Sequence, residues 1–233
     1  MTRRTVAVLA VLALSALAGC TNTPATPASS SPATSGSPTQ SPAAEVPRTI
    51  PASAFFEMPR DRARGGREPA SGSQLPLKVC DDVLAPGPGV LASAVMMQAY
   101  KGPQDPPESI PSGVLYQTIR TYEGENAAAF LDRVRGGLAD CTSYQDGGVT
   151  LKVKTAPLSG AGDEALTIDR SQPQLDLPGN PVGGEQTNRV VVVRMGAVVT
   201  ILDDTEYERS SSDPAVVQVF VDEATKAIRS WLG

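Results

Sequence analysis

The chain has 233 residues and a formal net charge of −5 at pH 7, with 40% hydrophobic residues. It contains no histidine, which excludes histidine-based catalytic triads, a histidine general base and histidine metal ligands. An acidic chain is also a poor candidate for binding nucleic acid or for unaided docking on anionic lipid.

The first twenty residues have the layout of a secretion signal. Arg3 and Arg4 precede an uncharged apolar run, residues 6–18, which is too short for a permanent membrane-spanning helix. The run leads into Leu17-Ala18-Gly19-Cys20, which resembles the lipobox of bacterial lipoproteins. That resemblance implies removal of residues 1–19 and acylation of Cys20, for example with palmitate. Two or more acyl chains would anchor the protein to the extracellular side of the cell membrane. The alternative is an ordinary signal peptide with a chance cysteine, or a signal anchor.

A linker predicted to be disordered follows the lipidated cysteine. Residues 21–47 are almost wholly Thr, Pro, Ala and Ser, and such a segment has too little apolar surface to fold. As a flexible coil it would reach roughly 30 Å from the membrane. We therefore expect Cys20 and the linker to occupy residues 20–48 and a folded domain to occupy residues 49–233. Cleavage removes two arginines and no acid, so the net charge changes from −5 to −7.

Two cysteines remain once Cys20 carries lipid. Cys80 and Cys141 form an even pair outside the cytoplasm, so we predict a disulfide between them. Closing a loop of 61 residues corresponds to about 4 kcal/mol of stabilisation on the chain-entropy view. Two buried free thiols are the alternative.

In the first half of the domain the patterns predict two strands and a helix. An apolar arm around residues 50–58 is expected to dock on the core, and the arginine-rich residues 59–67 to form a solvated loop rather than an anion-binding site. A buried strand is predicted over residues 91–100, with a helix as the alternative, and a second strand over residues 113–122. A proline-rich loop at 102–113 separates them. Residues 125–139 have the apolar spacing of a helix, with this stripe: Ala127, Phe130, Leu131, Val134 and Leu138.

The second half is predicted to be a sheet closed by a helix. Short strands are expected over 149–155 and 165–168, a long loop over 171–186, and a hairpin over 189–194 and 197–202 whose Val/Ile-rich runs would lie centrally in the sheet. The acidic residues 203–208 are expected to form a solvated loop, because they lack the glycine and late glutamate of an EF-hand calcium site. Asp213-Pro214 is a typical helix start. The helix stripe would end with Trp231 in the core.

The sequence offers little catalytic chemistry. We find no G-x-S-x-G, P-loop or strand-linked G-x-G-x-x-G, and no cysteine or histidine cluster with metal-ligand spacing. The pairs Asp81-Asp82 and Asp203-Asp204 are adjacent in sequence, so on an extended chain their side chains point to opposite faces. Ser-Lys catalysis stays open without a spacing that favours it. We therefore expect no enzyme, no catalytic or metal-binding residue and no cofactor.

The order of the predicted elements resembles the PknH-type extracellular sensor domain, which is found on actinobacterial receptor kinases and on stand-alone lipoproteins. The residues that carry the resemblance are Cys80, the helix start Asn126-Ala127-Ala128-Ala129-Phe130 that leads to Cys141, the turn Gly162-Asp163-Glu164-Ala165, and the hairpin Arg189 to Leu202. It implies an α+β fold, with a twisted, mainly antiparallel sheet, helices packed against it and a cleft for a ligand. The chain departs from receptor kinases in having no kinase domain and one available cysteine pair.

These observations predict a membrane-anchored, extracytoplasmic lipoprotein whose sensor-like domain binds an unidentified small molecule in a cleft. We expect the cleft between the sheet, the 171–186 loop and the 102–113 loop. Met96, Tyr100 and Tyr116 are candidate lining residues, although residues of these types more often belong to an ordinary core. The alternative is a structural or interaction lipoprotein that positions another cell-envelope protein. A hydrolase would require titratable residues that converge in the cleft.

Overall fold

The computed structural model describes residues 45–70, 77–176, 178–207 and 211–233. The predictions for the signal peptide, Cys20 and the linker up to residue 44 lie outside the described residues. Within the described part, no helix is long and apolar enough to cross a membrane.

The described chain folds as an α+β domain, which confirms the predicted fold class. After a short 3-10 turn at Ala52–Ala54, its helices are α1 (Asn126–Leu138) and α2 (Pro214–Leu232). The strands are β1 (Ala63–Pro69), β2 (Leu77–Val79), β3 (Asp82–Leu84), β4 (Val90–Tyr100), β5 (Gly113–Tyr122), β6 (Ser143–Asp146), β7 (Val149–Pro157), β8 (Glu164–Leu175), β9 (Pro181–Met195) and β10 (Val198–Glu206).

Eight of these strands form one antiparallel sheet in the order β1-β4-β5-β10-β9-β8-β7-β6. Strands β2 and β3 make a separate hairpin. The β9–β10 hairpin lies in the middle of the large sheet, and the four consecutive valines at 190–193 are buried. A strand that is covered on both faces needs apolar side chains in both directions, so the predicted central position of this hairpin is confirmed.

Helix α2 and the N-terminal arm cover the first face of the sheet. Phe220 of α2 stacks on Phe56 of the arm at 5.8 Å between ring centroids and meets Tyr100 edge-on at 5.1 Å. The helix begins as predicted, because the Asp213 side chain accepts a hydrogen bond from the Ala215 amide and Pro214 occupies the first turn. Trp231 packs partly buried against this core.

The arginine-rich segment was wrongly predicted to be a solvated loop. Its second half is strand β1, which pairs with β4 at the edge of the sheet. Arg67 donates hydrogen bonds to the carbonyls of Phe55 and Phe56 at 2.6 and 3.1 Å. The guanidinium thus holds the apolar arm against the sheet, a role that charge density alone does not reveal.

Helix α1 and the β2–β3 hairpin cover part of the second face. The buried residues of α1 are the five that the periodicity predicts. Cys80, after β2, and Cys141, after α1, form a disulfide with a Cα–Cα separation of 6.3 Å. Beneath the helix, Arg120 of β5 is fully buried with its guanidinium 5.4 Å from the Phe130 ring centroid.

Two further loop predictions were wrong. Residues 171–186 continue the antiparallel pairing of β8 with β9 as far as Leu175 and Pro181, because their main-chain groups can pair whatever the polarity of the side chains. Asp203 and Asp204 belong to strand β10 rather than to a solvated acidic loop. The proline-rich residues 102–112 lie outside regular structure, as predicted.

Candidate functional site

The second face of the sheet changes character along the strands. Leu166, Ile168, Val190, Val192 and Ile201 belong to the buried cluster that packs with α1. Farther along the same strands, the alternation that places Ile201 and Ile168 on this face also places Asp203 and Arg170 there. These polar residues line an open cleft instead of a core. The face is therefore divided into a covered apolar part and an accessible polar part.

We call this opening the polar cleft, which has a volume of about 270 Å³. It extends over the five strands β10, β9, β8, β7 and β6. Its lining residues are Tyr144, Asp146, Leu151, Arg170, Gln172, Asn188, Asp203 and Thr205. Seven of the eight carry polar side chains, so the cleft is suited to a ligand that forms hydrogen bonds.

The polar cleft contains an ion pair between Arg170 and Asp203. The guanidinium donates to the Asp203 carboxylate at 2.6 Å. Burial raises the pKa of Asp203, while the Arg170 charge and hydrogen bond act in the opposite direction. Arg170 lies directly opposite Asn188 on the neighbouring strand. Arg170 Nε and Asn188 Oδ1 are buried and have no hydrogen-bond partner within the described residues.

A second ion pair lies at the β6 end of the polar cleft. Lys78 of β2 binds Asp146 at 2.8 Å, and its ammonium lies 5.0 Å from the centroid of the Tyr144 ring. Burial raises the pKa of Tyr144, although Arg170 and Lys78 both act to lower it. The Tyr144 phenol therefore stays protonated at neutral pH and can both donate and accept.

A second opening adjoins the polar cleft on the same face. This edge groove, with a volume of about 240 Å³, lies on β1, β4 and β5; its lining includes Arg64, Glu68, Met97, Val114 and Tyr116. Tyr116 pairs across the strands with Asp203, and Val114 pairs with Thr205. The edge groove and the polar cleft thus share a boundary at these two residue pairs.

An apolar hollow of about 290 Å³ lies at the C-terminal end of α1. Its lining includes Leu138, Ala139, Pro157 and Leu166 together with Arg135. Arg135 is paired with Glu164, so its charge is already neutralised. The hollow offers few polar groups to orient a ligand. The polar cleft is the better candidate, because it contains two groups, Tyr144 and Asp203, whose pKa is raised by burial.

Of the three predicted lining residues, the structure places one in an opening on this face. Tyr116 lines the edge groove. Tyr100 is buried in the core on the first face, where its hydroxyl donates to Asp204 at 2.9 Å. Met96 packs against the same core. The 102–113 loop contributes no residue to the polar cleft, whereas Gln172, from the segment predicted as the 171–186 loop, lines it.

The central residues of the polar cleft were missed for an identifiable reason. Arg170 lies two residues beyond the strand predicted at 165–168, and Asn188 lies one residue before the strand predicted at 189–194, so neither was placed on a strand. The available signal was the two-residue register of a strand, which relates Arg170 to Ile168 and Asn188 to Val190. The carboxyl groups of Asp203 and Asp204 do not converge, because Asp203 faces the cleft and Asp204 faces the opposite core. Among the described residues, no group of three or more Cys, Asp or Glu could hold a metal ion.

Comparison with protein-family models and with curated proteins gives no match. Among solved structures, the chain is similar to the extracellular domain of PknH from Mycobacterium tuberculosis. The TM-score is 0.46 and the sequence identity 12%, and the match covers 71% of this chain and 84% of that chain. A likeness of this degree concerns the fold alone, and neither a ligand nor an activity follows from it.

Proposed function

We propose that the chain is a lipid-anchored extracytoplasmic protein whose domain is a PknH-type sensor-like module that binds a ligand in the polar cleft. The observation that supports ligand binding is the concentration of partly exposed polar side chains around Arg170 and Asn188. Within this group, Arg170 Nε and Asn188 Oδ1 are buried and have no hydrogen-bond partner within the described residues. Leaving a buried polar atom without a partner costs about 1–3 kcal/mol of stability. Proteins retain such a cost mainly at sites where the polar groups serve recognition. The anchor is supported by the lipobox-like sequence that ends in Cys20.

Native mass spectrometry of the full-length chain, before and after denaturation, tests ligand binding. We expect a small molecule that leaves on denaturation and that is absent from an Asn188→Leu variant. A matched surface variant, Gln218→Leu on the exposed side of α2, should retain it. The same molecule on both variants, or a clean mass for the wild-type chain, would contradict the proposal.

The anchor is tested separately by metabolic labelling with an alkyne analogue of palmitate. We expect the wild-type chain to be labelled and to sediment with membranes, and a Cys20→Ala variant to lose the label. Unchanged labelling of the variant would refute lipidation at Cys20.

The alternative of a structural or interaction lipoprotein lacks comparable support. Among the residues that the structure describes, the most exposed apolar side chains are Val83, Ile110 and Val182, and they lie on three different segments. Single exposed apolar residues are ordinary features of a protein surface.

A further inference from the structure

The charges in the polar cleft are balanced. Its lining has one cation, Arg170, paired with Asp203, and the acid Asp146 is paired with the adjacent Lys78. The edge groove likewise has one charged group of each sign, Arg64 and Glu68. In the polar cleft, a phosphate, a carboxylate or a cationic ligand would have to compete with the two ion pairs Arg170–Asp203 and Lys78–Asp146. The charge balance therefore favours an uncharged ligand.

The hydrogen-bonding groups include both donors and acceptors. Arg170 can only donate, and Asp203 accepts through a carboxyl oxygen. Gln172 and Asn188 have amides that do both, and Thr205 has a hydroxyl that does both. A ligand hydroxyl matches such a set because it donates and accepts through the same atom.

The site is elongated. From Tyr116 on β5 to Tyr144 on β6 there are five steps between neighbouring strands, or about 24 Å at the usual strand spacing. Tyr116 is partly exposed at the boundary of the two openings, where its ring offers an apolar surface beside polar groups.

From these three observations we propose that the polar cleft and the edge groove together bind a neutral, hydroxyl-rich chain, that is, a linear carbohydrate. This inference rests on the proposed function and adds the class of ligand. An extended peptide fits less well, because the strands beneath most of the site, from β4 to β7, are paired on both sides, and the edge strands β1 and β6 lie at its two ends. A peptide on this face gains none of the main-chain hydrogen bonds available at a free strand edge.

The test measures binding of the full-length chain to an array of linear oligosaccharides. The probes are neutral oligomers of glucose, mannose, galactose and N-acetylglucosamine, with polyuronates, sulfated oligomers and extended peptides as comparisons. The detergent must have no sugar headgroup, because such a headgroup would compete for the site. We expect binding to at least one neutral oligomer and little change in affinity with added salt, since no charge pair forms on binding.

Matched variants locate the binding. Gln172→Ala in the cleft should weaken binding roughly threefold to tenfold, as expected for one neutral hydrogen bond. Gln218→Ala on α2 is the control and should leave the affinity unchanged. Tyr116→Ala should weaken binding, whereas Tyr116→Phe, which keeps the ring, should restore most of it. Thermal unfolding of each variant shows whether the fold is intact.

The possible outcomes separate this inference from the proposed function. A charged or peptidic ligand that depends on Gln172 would overturn the carbohydrate assignment and leave the binding function in place. Neutral oligomers that bind equally to wild type and Gln172→Ala would overturn the assigned site. If no probe binds and no molecule co-purifies with the chain, both proposals fail.

Discussion

The buried hydrogen bond between Tyr100 and Asp204 gives a sharp test of the structure. The two residues are 5% and 1% exposed, and the Tyr100 hydroxyl lies 2.9 Å from Asp204 Oδ1. Asp204 Oδ2 is buried without a hydrogen-bond partner within the described residues. The Tyr100 hydroxyl therefore donates directly to a buried carboxyl group.

Replacing Tyr100 with Phe removes this donor and keeps the ring that packs on Phe220. A hydrogen bond to a charged group contributes about 1.5–3 kcal/mol. We expect urea unfolding at neutral pH, with the disulfide intact, to show a loss of about 2 kcal/mol in the free energy of unfolding. The slope of the unfolding free energy against urea concentration should stay the same, because the substitution hardly changes the surface area that unfolding exposes.

Tyr116→Phe provides the matched control. Tyr116 is on the strand beside β10 but is partly exposed, so its hydroxyl can bond to water in the wild-type protein. We expect this variant to stay within about 0.5 kcal/mol of the wild type. A loss for Tyr100→Phe no larger than that of the control would refute the reasoning.

The pH dependence of stability supplies an independent check on Asp204. Burial raises its pKa above the unfolded value, and this outweighs the opposing hydrogen bonds from Ser212 and Tyr100. A group with a raised folded pKa contributes stability that is fully present below the unfolded pKa and is lost as the pH rises through the folded pKa. We expect Asp204→Asn to flatten the fall in unfolding free energy as the pH rises from about 4 towards neutral. If the unfolding free energy of the wild type and of the variant changed equally with pH, Asp204 would not be the group with the raised pKa.

Three further predictions concern stability. Gly162→Ala should unfold at clearly lower urea concentration than Gly160→Ala. Both glycines have positive φ, but of the two only Gly162 lies so close to the Arg194 carbonyl that an added Cβ would overlap it. Equal losses of stability in the two variants would contradict this close packing of Gly162 on Arg194. Replacing Cys80 and Cys141 with Ala should lower the free energy of unfolding by about 4 kcal/mol, and a change below about 1 kcal/mol would show that the bridge constrains little. Arg67→Ala should speed amide hydrogen exchange in residues 50–58 well before it changes exchange in the central strands, and unchanged exchange would show that the arm is held by other contacts.

The local spacing and type of residues were sufficient to predict the helices and the centre of the sheet. In α1 the buried stripe follows from spacing, and in α2 the Asp213 cap follows from residue type. The valines of β9 indicate a central strand because few other positions bury consecutive residues on both faces.

The sequence pattern gave wrong predictions where contacts with distant parts of the chain determine the environment of a polar residue. Arg67 and Asp204 are charged residues of the kind usually found on a solvated surface. Each is instead held by a hydrogen bond to a residue distant in sequence, Arg67 to Phe55 and Asp204 to Tyr100. The polar ends of β8 and β9 lack the apolar alternation that marks a strand, so their pairing was not predicted. The candidate site was missed with them, since Arg170 and Asn188 lie on those two strands.

The position of the polar cleft on central strands has a consequence for how binding could be sensed. Arg170, Asn188 and Asp203 project from backbone that is hydrogen-bonded to neighbouring strands on both sides. A surface held this firmly is preorganised, so a ligand loses little affinity to the ordering of the protein. It also has little freedom to change shape when occupied. Occupancy would therefore be communicated by what the bound ligand covers or exposes to a neighbouring protein, and not by a movement that spreads through the sheet.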